Sequence, residues 1–158
     1  MENMLVFKEH IDHTWSIVNN IREKTAEQLS YLDSNLVEKT TMVVSELLEN
    51  AIKYGDSVPD ASNIEFELKI ENNKIIITVS NGVRNQEDID HLVASINRIN
   101  TSENAMELYI ERLKEIINGD THGRTQLGLY RIIYEGEFML NYHVRSNIMT
   151  IIAEKSIV

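Results

Sequence analysis

The apolar residues of this chain change period once, sharply, and that change decides most of what the chain can fold into. From Leu36 to Ile52 the buried-type positions Leu36, Thr40, Val43, Val44, Leu47, Leu48, Ala51 and Ile52 recur mostly at spacings of three and four, which predicts a long helix with one continuous buried stripe. Asp33 or Ser34 can cap its start. From Ile64 to Ile70 apolar and polar residues alternate strictly, the pattern of a strand with one wet face. Glu71-Asn72-Asn73-Lys74 is then a tight-turn sequence, because asparagine tolerates positive φ, and Ile75 to Ser80 supplies an antiparallel partner. A helix followed by a hairpin is therefore the central unit.

The flanking segments extend this unit. Met4 to Lys8 reads as an edge strand, and a helix is expected from about Asp12 to Ser30, with Trp15, Val18, Ile21 and Leu29 along one side. Helical character returns at Glu87 to Ile99 and at Ser102 to Ile117, where Asn118-Gly119-Asp120 ends it. Leu127 to Tyr134 is a short apolar segment after a polar, glycine-containing loop. Phe138 to Val144 and Ile148 to Ala153 form a closing pair of strands across Arg145-Ser146-Asn147. Helices and antiparallel hairpins are segregated along the chain, so the expected class is α+β, with a layer of helices on one face of a sheet. The chain has 158 residues with one proline and six glycines, and no linker or repeat divides it, so one domain spanning 1–158 is expected.

Composition narrows function. Lys plus Arg is 15 and Asp plus Glu is 25, a formal charge of −10, which repels phosphate backbones and acidic membrane surfaces and argues against nucleic-acid and membrane partners. With no cysteine, disulfides, thiolate metal sites and cysteine nucleophiles are excluded. No apolar run approaches a membrane span and the N-terminus lacks the pattern of a signal peptide, so a soluble cytoplasmic protein is expected.

The long helix carries the chemistry. At about 100° per residue, Glu46, Asn50 and Lys53 fall within about 60° of one another on the border of its apolar stripe. A carboxylate, an amide oxygen and an ammonium along one flank offer a general base, a hard ligand for Mg²⁺ and a phosphate contact. A solvated helix face would have the same composition. The string Glu46-Leu47-Leu48-Glu49-Asn50-Ala51-Ile52-Lys53-Tyr54-Gly55 resembles the N-box of the GHKL ATP-binding superfamily, which includes gyrase, the histidine kinases and the anti-sigma-factor serine kinases. That resemblance implies that Glu46 orients or deprotonates the nucleophile and that Asn50 holds Mg²⁺ on the nucleotide phosphates.

Two further segments resemble boxes of the same superfamily. Val79-Ser80-Asn81-Gly82-Val83-Arg84 stands where the family has Asp-x-Gly-x-Gly. Aligning Gly82 with the first glycine puts Ser80 in the position of the adenine-binding aspartate and Arg84 in that of the second glycine; Asn81 is the other candidate for the adenine contact. Strand alternation puts Ser80 with Ile76 and Thr78, and Asn81 with Ile75, Ile77 and Val79, on opposite faces. Gly123-Arg124-Thr125-Gln126-Leu127-Gly128-Leu129 is similar to the family's glycine-rich phosphate loop, keeping Gly123, Thr125, Leu127, Gly128 and Leu129, with Arg124 and Gln126 in place of glycines.

The resemblance spans about Leu36 to Tyr130, with the closing hairpin in the place of the family's last strands. It implies a two-layer α/β sandwich of the Bergerat type, with a mostly antiparallel mixed sheet. It implies ATP and Mg²⁺ as cofactors and a small anti-sigma-factor-like serine/threonine kinase that transfers phosphate to a partner regulatory protein, such as an antagonist or a sigma-like factor. A homodimer stays open. The alternative is a degenerate GHKL-like protein-binding module that recognises a partner protein in signalling without ATP turnover, to which the missing aspartate and loop glycines point. Elsewhere, His10 and His13 lie three apart without a third ligand, Trp15 reads as a core or interface anchor, and Glu103 to Glu115 reads as a solvated acidic face.

Overall fold

The computed structural model describes residues 2–12, 14–56, 58, 61, 63–119 and 127–158. These form β1 (Met4–Ile11), α1 (Ser16–Gln28), α2 (Ser34–Tyr54), β2 (Ile64–Glu71), β3 (Lys74–Gly82), α3 (Gln86–Thr101), α4 (Ala105–Ile117), α5 (Leu127–Tyr134), β4 (Met139–Arg145) and β5 (Ile148–Ser156). The class is α+β. Every pairing among the five strands is antiparallel, in the order β1-β2-β3-β5-β4, so the sheet is not mixed as the resemblance implied. The three helices between β3 and β4 carry the chain to the far edge, and the closing hairpin inserts β5 beside β3.

Local chemistry accounts for the boundaries. The Asp33 carboxylate accepts from the backbone N–H of Asn35 at 3.1 Å and of Leu36 at 3.3 Å and so caps α2, which makes Asp33 rather than Ser34 the cap. The β2–β3 turn places Asn72 at φ 53° and Asn73 at φ 59°, the left-handed pair that a two-residue hairpin needs. Asn85 and Asn104 each cap a helix through the side-chain oxygen. The expected first helix begins later than its pattern suggested. His10 lies on β1, where its Nδ1 is 3.7 Å from a Glu65 carboxylate oxygen, and His13 is outside the described residues.

One face of the sheet meets the helices. Ile64, Phe66, Leu68 and Ile70 of β2 and Ile75, Ile77 and Val79 of β3 are buried there with Val43, Val44, Leu47 and Leu48 of α2 and Leu129 and Ile132 of α5. The opposite face carries Lys8, Glu65, Glu67, Thr78, Ser80, Asn141 and His143 in cross-strand rows. Trp15 is 59% exposed and is no core anchor. Among the described residues no helix is long and apolar enough to cross a membrane.

Candidate functional site

Glu46 projects from the middle of α2 onto the start of α5. Its side chain is only 13% exposed, and Oε1 accepts a hydrogen bond from Arg131 Nη1 at 2.6 Å. The carboxylate rests on Gly128, the second residue of α5, so closely that a Cβ built there would lie 2.2 Å from Glu46 Oε2. Gly128 therefore has a specific reason to lack a side chain. A carboxylate at the first turn of a helix also lies at the positive end of the helix dipole.

Arg131 ties this carboxylate to a second one. Its Nε donates to Glu135 Oε2 at 2.9 Å, while Nη2 lies 2.8 Å from the same oxygen. Burial holds the Glu46 carboxyl above its ordinary range; Arg131 opposes that rise, and Glu49 and Glu135 add to it by repulsion. Desolvation is the larger effect even though the ion pair is short. The Arg131 guanidinium is pushed up in turn, chiefly by its hydrogen bond to Glu135. Glu46 is thus a partly desolvated carboxylate held in one place, a combination that suits proton transfer once Arg131 is drawn away.

Asn50 follows one turn along the same flank of α2. Its amide nitrogen is buried and has no hydrogen-bond partner among the described residues, a costly arrangement for a side chain that a hydrophobic residue could replace. Lys53, a turn further, holds its ammonium 5.7 Å from the centre of the Tyr54 ring, and Tyr54 itself is buried. Helix α2 thus sets Glu46, Asn50 and Lys53 along one flank, each of them half-buried.

The end of β3 separates the two adenine candidates. Ser80 lies on the face turned away from the helices, its hydroxyl 2.7 Å from that of Thr150. Asn81 lies on the helix face with 6% exposure, and its Nδ2 donates to the Gly82 carbonyl at 3.1 Å. The fold brings Asn81 to the side of the sheet that α2 occupies and does not bring Ser80 there. Gly82 is needed for packing, since a Cβ would lie 2.5 Å from both the Asp56 carbonyl oxygen and Val58 Cγ2. Asp56 fastens this corner twice, its N–H donating to Gly82 O at 2.7 Å and its carboxylate accepting from the Arg84 N–H at 3.2 Å.

Of the glycine-rich loop, Gly123, Arg124, Thr125 and Gln126 lie outside the described residues, while Leu127 and Gly128 open α5. Two residues of this site were missed from sequence. Arg131 sits inside an apolar segment, and its one sequence signal is a lone arginine three residues after Gly128 and four before Glu135. Asp56 stood in a loop with no pattern at all. No protein-family model matches this chain, and no curated protein matches its sequence.

Fit to a magnesium nucleotide can be judged on the residues themselves. The orphaned atom of Asn50 is its amide nitrogen, a donor that suits a phosphate oxygen; Mg²⁺ would take Asn50 Oδ1 and keep most of its shell from phosphate oxygens and water. Asn81 offers both a donor and an acceptor on the same side of the sheet. The residues fit the group, and Arg131 occupies one oxygen of Glu46.

Proposed function

We propose that this chain is a GHKL-type domain that binds ATP with Mg²⁺ against the Glu46–Asn50 flank of α2 and passes phosphate to a hydroxyl of a partner regulatory protein. The observation that carries the proposal is the contact between Glu46 and Gly128. Residues of two separate family-like boxes, far apart in the chain, meet in space at the start of a helix, with an unsatisfied amide one turn away. When bound, the nucleotide supplies the transferable phosphoryl group and Mg²⁺ offsets its charge. Asn50 would hold the metal through its side-chain oxygen, and Asn81 would meet the base. Glu46 would take the proton of the incoming hydroxyl at its carboxylate, while Arg131 keeps that carboxylate in position until then.

The Glu46–Arg131 pair also favours a second reading, in which the nucleotide is bound and read out by a partner without turnover. A carboxylate locked to a guanidinium at the helix start is well placed to hold structure and poorly placed to accept a proton. Titration calorimetry with ATP, with and without Mg²⁺, tests the binding common to both readings. Heat that requires Mg²⁺, survives in Glu46→Gln and falls in Asn50→Ala is expected. Absence of heat from ATP and ADP alike rejects both nucleotide readings and leaves a GHKL-like module that recognises a partner protein. Release of labelled phosphate, or its transfer to protein, separates the kinase from the non-catalytic reading.

A further inference from the structure

Helix α4 has an apolar stripe that the rest of the molecule leaves uncovered. Met106 is 47% exposed, Ile110 42% and Ile117 79%, and the half-buried Leu113 lies between the last two. The spacing from Met106 to Ile110, Leu113 and Ile117 is four, three, four, which at about 100° per residue keeps all four within an arc of about 60°. This is the a/d pattern of a two-helix seam. The helix is already anchored on its other sides. Tyr109 packs on Tyr134 of α5 with ring centroids 5.2 Å apart, and Glu115 pairs with Arg98 of α3 at 2.6 Å. Scattered exposed apolar residues are ordinary, but a full seam on one helix is not.

Charge decides what covers it. Beside the stripe, on the flank facing outward, stand Glu107 and Lys114, both exposed. If a second α4 lies antiparallel across the first, Met106 meets Ile117 of the second copy and Ile110 meets its Leu113. Glu107 then falls opposite Lys114 of the second copy, and the two-fold axis repeats that pair. The seam is thus complementary to itself in shape and in charge. A parallel alignment would instead set these two charges against Tyr109 and Ile116. Two-fold symmetry across one surface patch is also the commonest way in which a protein associates with itself.

We propose that α4 is a self-docking surface, through which two copies of this chain form an antiparallel helix pair. The inference does not depend on the nucleotide reading. The helix has 13 residues, about 20 Å of seam, well short of a standard interface, so the dimer dissociates at roughly tens of micromolar.

Sedimentation equilibrium of the full chain, from about 5 to about 500 µM, reads the association in that range. The mass is expected to rise from 18.2 kDa towards twice that value. Ile110→Glu should hold it at the monomer, with unchanged circular dichroism because the side chain is exposed. Glu107→Lys and Lys114→Glu should each weaken self-association by about tenfold, since each turns two attractive pairs into repulsive ones. Mixing these two variants, or joining both changes in one chain, should restore the dimer. A wild-type chain that stays monomeric at the highest concentration overturns the proposal, as does a dimer indifferent to Ile110→Glu and to both charge reversals, or single reversals that mixing does not rescue.

Discussion

Replacing Gly128 by alanine tests whether the glycine exists to seat the Glu46 carboxylate. The added methyl would lie 2.2 Å from Oε2 and 3.2 Å from Cδ of Glu46, so the carboxylate must retreat by about 1.2 Å to reach ordinary contact. Although it is the end of a flexible side chain, it is pinned by the 2.6 Å bond to Arg131 and is largely buried. Loss of a charge-assisted hydrogen bond costs about 1.5 to 3 kcal/mol, and the 36% exposure of the Arg131 side chain argues for the lower end. Against this, alanine is better than glycine in a helix by about 0.5 to 1 kcal/mol. The net is a destabilisation of about 1 kcal/mol, or about 2 to 4 °C in Tm for a domain of this size. In a Glu46→Ala background the nearest remaining atom is the Glu46 Cβ at 3.8 Å, an ordinary contact, so Gly128→Ala should become stabilising there. Denaturant unfolding of the four proteins in this cycle should therefore give a coupling of about 1.5 kcal/mol or more. An equal cost of Gly128→Ala in both backgrounds would refute the seating role.

Three further outcomes follow from the same geometry. Glu46 binds its proton more readily folded than unfolded, because burial raises its pKa above 4.5; the stability it contributes is full below the unfolded value and is lost as pH rises through the folded one. Glu46→Gln should then stabilise the fold more at about pH 8 than at about pH 4 in thermal unfolding, and the reverse trend would contradict the burial argument. Gly82→Ala meets a backbone oxygen and a valine methyl at 2.5 Å each, neither of which can move cheaply, so it should cost about 2 to 3 kcal/mol; a change under about 0.5 kcal/mol would show that the corner at Asp56 is loose. Asn81→Ala should weaken ATP binding by about tenfold while Ser80→Ala leaves it unchanged, and the opposite order in calorimetry would put the base on the far face of the sheet.

The elements that periodicity could reach were legible in the sequence. The α2 stripe, the Asn72-Asn73 turn and the alternation in β2 each have a local cause, so their positions follow from neighbouring residues alone. The wholly antiparallel sheet was not legible, because β5 pairs with β3 across three intervening helices and no local pattern reports so distant a pairing. Trp15 shows the limit of composition, since a large ring gives no sign of whether another element will cover it. At the site, helical spacing identified Glu46 and Asn50 as neighbours, and strand alternation showed that Ser80 and Asn81 must differ. Which of the two faces α2 needed the three-dimensional packing. For Arg131 the local spacing to Gly128 and Glu135 is the whole of the signal, because its partner Glu46 lies on a helix 85 residues away.

Side-chain amide NMR during a titration with Mg-ADP bears most directly on the nucleotide site. Among the described residues the buried NH₂ group of Asn50 has no acceptor and that of Asn81 donates to the neighbouring Gly82 carbonyl, so the two signals report on their own surroundings. If the nucleotide binds against α2, these two signals shift together and saturate with one affinity, while the backbone amides of Ser80 and Thr150 on the opposite face move little. Saturable shifts confined to Ser80, Thr150 and their neighbours, or no shift at millimolar Mg-ADP in any of these groups, would contradict a nucleotide site on the Glu46–Asn50 flank.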